Sequence, residues 1–321
     1  MPITLRRHEW MVGVSAAMHF LVDGLCVCCL YLMLDTPGIQ GMAKVFLTYN
    51  ILAFMTQPLT GWMADRTKHR HWLLLAAVVL LAAAVMMASV VAAAPGVRSG
   101  VWLVALLLGT GNSLFHVWGG KQTVLTMGND MRAMGVFVST GAFGLAVGVT
   151  FHSWGLLQTF LLLICLLSLT HVRMDGTFSK GETAKQGKTY GQTIVWCSMA
   201  ALVAFVMFRS YSGEVFSAGM HKTPVVVLMV GGTAMLGKMA GGWLATRWGI
   251  VKSMVVVLMA TALCFAAGPS SVALLLAGVF LINCTMPVTL YLANVVLEGR
   301  EGLAFGILAA ALIPGYLLAT M

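Results

Sequence analysis

The stretch HFLVDG, His19 to Gly24, sets two ionisable residues inside an apolar run from about Trp10 to Leu34. Four-residue spacing puts His19 and Asp23 on one face of a helix, where an imidazole and a carboxylate can hydrogen-bond. Burial and a neighbouring charge move a carboxylate's proton affinity in opposite directions, so a pair whose exposure alternates can load and release a proton. The same spacing also suits a static hydrogen bond that fixes helix packing. A second pair, Asn112 and His116, repeats the spacing and is followed by Gly119, Gly120 and Lys121. His116 reads equally as a site or a core residue, and Lys121 can face a cavity or snorkel to the headgroups. Arg209 stands beside Ser210 and Tyr211, with Glu214 one turn on. Its planar guanidinium can grip a carboxylate or phosphonate at two points, or pair with Asp23 or Glu214. Cys26, Cys28 and Cys29 cluster in the first apolar run, but only Cys26 and Cys29 share a face and no second Cys/His group completes a tetrahedral set. The expectation is no bound metal, no cofactor and no catalytic group.

The elements that must position these residues are membrane helices. Sixty per cent of the chain is hydrophobic and 9% charged, with a mean hydropathy of +0.92, which excludes a soluble domain. Apolar runs long enough to cross a bilayer are expected at 10–34, 40–64, 72–93, 99–125, 131–150, 153–172, 192–213, 222–246, 252–267, 270–296 and 302–320. The net charge of +9 would suggest nucleic acid in a soluble protein. Here Arg6, Arg7, Arg66, Lys68, Arg70, Arg132, Arg173, Arg247 and Arg300 all fall in segments on one side of these spans, against Lys44, Arg98 and Lys222 on the other. The positive-inside rule makes the first side, and the N-terminus, cytoplasmic, and no nucleic-acid partner is implied. A polar stretch at 173–191 has linker composition and divides the chain into an N-terminal bundle, 1–172, and a C-terminal bundle, 192–321. Lys238 and His152 are expected at surfaces, without a site role.

A repeat crosses that linker. GWMADRTKHR begins at Gly61 and GWLATRWGIVK at Gly242, each between the second and third spans of its half. At these residues the chain resembles the major facilitator superfamily, whose loop reads Gly-x-Leu-Ala-Asp-Arg-x-Gly-Arg. The first copy keeps Gly61, Asp65, Arg66 and Arg70; the second keeps Gly242 and Arg247 but has Thr246 in place of the acid. The resemblance implies a fold of two helical bundles rocking about a central cavity, with these loops as a cytoplasmic gate whose acid faces a helix N-terminus. The stretch from GTGNSLFH to Gly148, the His-x-x-x-Asp of span 1 and Arg209-Ser210 further resemble the fosmidomycin-resistance type, although Val149 stands where proton-driven exporters of that kind carry proline. The family has twelve spans and eleven are visible, so the twelfth is expected to be missing.

The expectation is therefore an all-α polytopic membrane protein of two helical bundles, a multi-pass monomer in a bacterial inner membrane. Its expected activity is secondary active transport of a small anionic or amphipathic organic solute, with protons coupled through His19 and Asp23. Asn112, His116, Lys121 and Arg209 complete the expected pathway. Two other classes stand beside it: a membrane-embedded enzyme or metal-binding protein, which needs convergent acid, base or metal groups, and a truncated sensor that binds without moving solute.

Overall fold

Hydrocarbon offers a backbone amide no partner but the chain itself, so apolar runs of this length fold as helices. The computed structural model describes residues 3–67, 71–175, 191–267 and 271–320. Lys68 and Arg70 of the first loop copy, and residues 176–190 of the expected linker, lie outside the described residues. Among the described residues ten helices are long and apolar enough to span a bilayer, and no strand occurs. The protein is an all-α polytopic membrane protein.

The second expected span differs from the rest in being broken. It runs as Met42–Asn50, a π-helical turn Ile51–Met55, and Gln57–Arg66, and its polar lower half keeps it out of the ten. Pro58 is the physical reason. It has no N–H to give the carbonyl of Phe54 and its ring would collide there, so the ladder widens by one residue. The polar groups this exposes are met locally: Thr56 Oγ1 donates to Ser113 Oγ of span 4 at 2.8 Å, and Gln57 Nε2 to Ala53 O at 2.8 Å. Span 10 is likewise interrupted, between Val272–Asn283 and Met286–Val296, and span 11 between Glu301–Ala310 and Leu312–Thr320.

Glycine decides how the helices cross. Span 1 (Ile3–Leu34) and span 5 (Met131–Thr150) run parallel in contact along their length. A side chain at Gly144 would fall on the carbonyl of Phe20 and one at Gly148 on that of Gly24. One turn earlier, Thr140 Oγ1 donates to Ala16 O at 2.6 Å in the same register. Two antiparallel crossings of the same kind join the first six spans to the rest. In one, Gly61 of span 2 lies against Gly302 of span 11 and Gly306 against Gln57; in the other, Gly135 of span 5 meets Lys238 of span 8, and Gly242 meets Met131. With no hydrophobic force acting between helices in lipid, close backbone approach is what gives such crossings their attraction.

Replacing Gly144 by alanine is expected to lower the melting temperature of the detergent-solubilised protein, by an overpacking penalty of about 1–3 kcal/mol. At Gly155 an added Cβ meets nothing within 4 Å, so Gly155→Ala should leave it unchanged or slightly higher. Equal melting temperatures for the two variants would remove the close crossing from this account.

Candidate functional site

Spans 1, 4 and 5 bring four polar side chains to one buried point. Gly141 of span 5 makes room for them, because a Cβ there would land on Asp23 Oδ2 and His19 Nε2. His19 Nδ1 donates to the carbonyl of Phe137 at 2.7 Å, and His116 Nδ1 to that of Asn112 at 2.9 Å. Both histidines therefore carry a proton on Nδ1, since a carbonyl only accepts. Their Nε2 atoms face each other at 2.8 Å. Two bare lone pairs would repel at that distance, so a proton lies between them and the pair bears one positive charge.

Asp23 supplies the matching negative charge. Its Oδ2 is 3.2 Å from His19 Nε2 and its Oδ1 is 3.5 Å from His116 Nε2. Asn112 Nδ2 donates to Oδ1 at 3.0 Å. His19, Asp23, Asn112 and His116 are each under a tenth exposed, so their opposite charges meet one another here, while Asn112 Oδ1 is left without a hydrogen-bond partner. The ligand atoms of His19, Asp23 and His116 lie within 4.8 Å of one another, a spacing that a transition metal could also bridge. The cysteines weighed as metal ligands from sequence do not join this group: Cys26, Cys28 and Cys29 are buried without a disulfide.

A cavity of about 150 Å³ reaches this cluster. His19, Asp23 and His116 line one wall; Arg209, Lys238 and Thr289, from spans 7, 8 and 10, line the facing one. Arg209 pairs with neither Asp23 nor Glu214 in the described residues; its Nη1 donates to Thr289 Oγ1 at 3.1 Å. Lys238, expected at the headgroups, instead turns inward and donates to Val138 O of span 5 at 3.2 Å. The available signal for it was Gly135, which lets the backbone at Lys238 come close to span 5. Phe305 from span 11 also lines the cavity and packs over Gly120 and towards Phe137, the ring stacked on His19. It lies one turn from Gly302, on the side of the cavity nearer the first loop copy.

Lys121 lies away from this cavity. Its Nζ is 3.1 Å from Asp65 Oδ1 and donates to Ala64 O at 2.9 Å, which puts it beside the first loop copy. Asp65 itself accepts from the backbone N–H of Gly302 and of Leu303, both at 2.9 Å. The helix that begins at Glu301 has no side-chain cap of its own, so Asp65 caps it from the other half of the molecule. Gly61 makes the approach possible. Arg66 stays near its own helix, its guanidinium 3.8 Å from the Trp62 ring centroid, and Arg247 is exposed.

The second loop copy meets span 5 differently. Gly242 packs on Met131 as Gly61 packs on Gly302, but Thr246, in the acid's place, donates to its own Gly242 carbonyl. Span 5 needs no cap from across the gate because Asp130 provides one, accepting from Arg132 N at 2.7 Å. Partial burial pushes the Asp130 carboxyl up, yet hydrogen bonds and charge from Arg132 outweigh it and hold the group below the usual carboxylate range. At the opposite end of the molecule His152 is not merely a surface residue: its Nδ1 lies 2.7 Å from Val149 O and its Nε2 2.8 Å from Asp35 Oδ2.

Comparison with known proteins gives the fold a context. A family model described as the MFS_1 like family matches residues 30–240. Among solved structures, the E. coli fucose:proton symporter FucP is similar, with a TM-score of 0.67 at 13% identity over 96% of this chain and 90% of that one. A structure of FucP described as a Major Facilitator Superfamily transporter in the outward conformation gives 0.68 at 12% identity over the same shares. Identities this low show the fold alone. No curated protein sequence matches.

Two measurements test these contacts. In a double-mutant cycle of Asp65→Ala and Lys121→Met, melting free energies should be non-additive by about 1 kcal/mol or more, as for groups in one buried network; additivity would separate the two residues. Asp130→Ala should lose about 1 kcal/mol of cap stability at neutral pH. A carboxyl held low in the fold contributes stability above its unfolded pKa and loses it as pH falls through the folded one. Asp130→Asn, which keeps a capping oxygen, should therefore resemble wild type below about pH 3 more than near pH 7, and an unchanged difference would refute the charge's role.

Proposed function

The chain belongs to the MFS_1 like family, and from that premise we propose that it is a secondary active transporter coupling a small organic solute to protons. The solute site is the central cavity, alternately opened to either face by rocking of the two bundles, 1–172 and 192–321, about it. The likeness of span 4 and span 5 to the fosmidomycin-resistance type supports a drug-like or metabolite-like solute. Clustering of basic residues on the loop side supports a cytoplasmic gate and N-terminus in a bacterial inner membrane, and the chain acts as a monomer.

One observation carries the coupling: the 2.8 Å approach of His19 Nε2 to His116 Nε2 beside Asp23. That distance needs a proton between the rings, and Asp23 holds the resulting charge. When the proton leaves, the two nitrogens lose their attraction and Asp23 loses its counter-charge, so spans 1 and 4 no longer favour this packing. A proton on the cluster is thereby linked to the arrangement of helices around the cavity, which is what coupling requires.

Proteoliposomes containing a pH-sensitive dye test this. A panel of organic anions, amino acids and antibiotics is applied with and without an imposed pH gradient. The wild type should accumulate at least one member and move protons with it. Asp23→Asn should bring solute-dependent proton movement to the level of empty liposomes. Undiminished movement in that variant would take Asp23 out of the mechanism, and no concentrative uptake by the wild type from a broad panel would count against transport itself.

A further inference from the structure

The two walls of the cavity are unequal in charge. On the wall built by spans 1 and 4, the single carboxylate, Asp23, already has His19, His116 and Asn112 around it. The facing wall presents two cations, Arg209 and Lys238, and among the described residues neither lies within 4.0 Å of a carboxylate. Each uses one donor: Arg209 on Thr289 Oγ1 and Lys238 on Val138 O. A guanidinium has five N–H donors and an ammonium three, so both residues keep unused donors beside the cavity they line. Charges inside a membrane protein are costly unless a partner or a wet cavity meets them. Arg209 is only 6% exposed, which leaves little water to do so.

The rest of the lining is apolar, including Leu145, Met286, Leu290 and Leu308. We propose that the cargo is an amphipathic organic anion, its carboxylate or phosphonate head held between Arg209 and Lys238 and its apolar body against these side chains. A guanidinium takes two oxygens of such a head in its plane, and an ammonium takes the remaining one as a point charge. A cationic solute has no acceptor here, because Asp23 is already neutralised by the histidine pair. A neutral solute would leave both cations buried without a counter-charge. This deepens the transporter reading by naming the class of solute and rests on it for the direction of movement only; the binding site stands on the cavity's own charges.

The probe is a series with one apolar body and different heads: phenylbutyrate, phenylbutylphosphonate, phenylbutanamide and phenylbutylamine. Thermal stabilisation and equilibrium binding are measured on the purified full chain in detergent. The two anions should bind and stabilise it, and the amide and amine should not. Lys238→Gln and Arg209→Gln should each weaken anion binding by about tenfold or more, a change of about 1.4 kcal/mol, while Lys238→Arg retains it. If Arg209→Gln does not fold, Lys238→Gln with its arginine rescue decides. Equal binding of the amine or amide, no binding of either anion to wild type, or unchanged affinity in Lys238→Gln would overturn the proposal. Concentrative uptake of neutral or cationic solutes alone would sink it and leave the transporter reading intact; anion binding without any flux would do the reverse.

Discussion

Charge inside hydrocarbon has to be matched, and that requirement organises the interior of this protein. An ionised side chain at the middle of a span costs about 2.5–3.5 kcal/mol on insertion scales. The chain meets the cost in three ways. Asp23 is enclosed by a proton-bridged histidine pair, Asp65 by Lys121 and two backbone amides, and Arg209 and Lys238 by hydroxyl and carbonyl oxygens at the edge of a cavity. The first two are complete. The third is not, and the incomplete one sits where a solute would enter.

These neutralised groups are held in place by helices that glycine allows to touch. Without Gly141 there is no room for the cluster, and without Gly61 Asp65 does not reach span 11. Packing and electrostatics are therefore not separable here. The small residues that bring backbones together also set the distances at which the ionisable groups meet.

Much of this was legible in the sequence. Hydropathy placed the spans, the four-residue spacings paired His19 with Asp23 and Asn112 with His116, and the repeated Gly-Trp-x-Ala marked two close helix crossings. What spacing could not give was the direction in which each long side chain turns. Lys121 and Lys238 both occupy the loop-side portion of their spans, and depth alone suits snorkelling for either. Their ends diverge because of neighbours on other helices: Asp65 draws Lys121, and the close passage at Gly135 brings Lys238 to span 5. Spans such as the first are apolar on most sides, so periodicity does not say which face meets the cavity. The break in span 2 was legible in Pro58, whereas the contact of His19 with His116 crosses 97 positions and no local pattern encodes it.

The difference between the two gate crossings reaches beyond static packing. Span 5 carries its own cap in Asp130, so its first turn is satisfied whether or not Gly242 stays beside it. Span 11 borrows its cap from Asp65 across the gate. Separation there leaves the amides of Gly302 and Leu303, and a carboxylate beside Lys121, facing an empty gap. That gap must be hydrated as it forms. One crossing could part dry and the other only wet, so any opening at this end would have to pass through wetting of the Asp65 side.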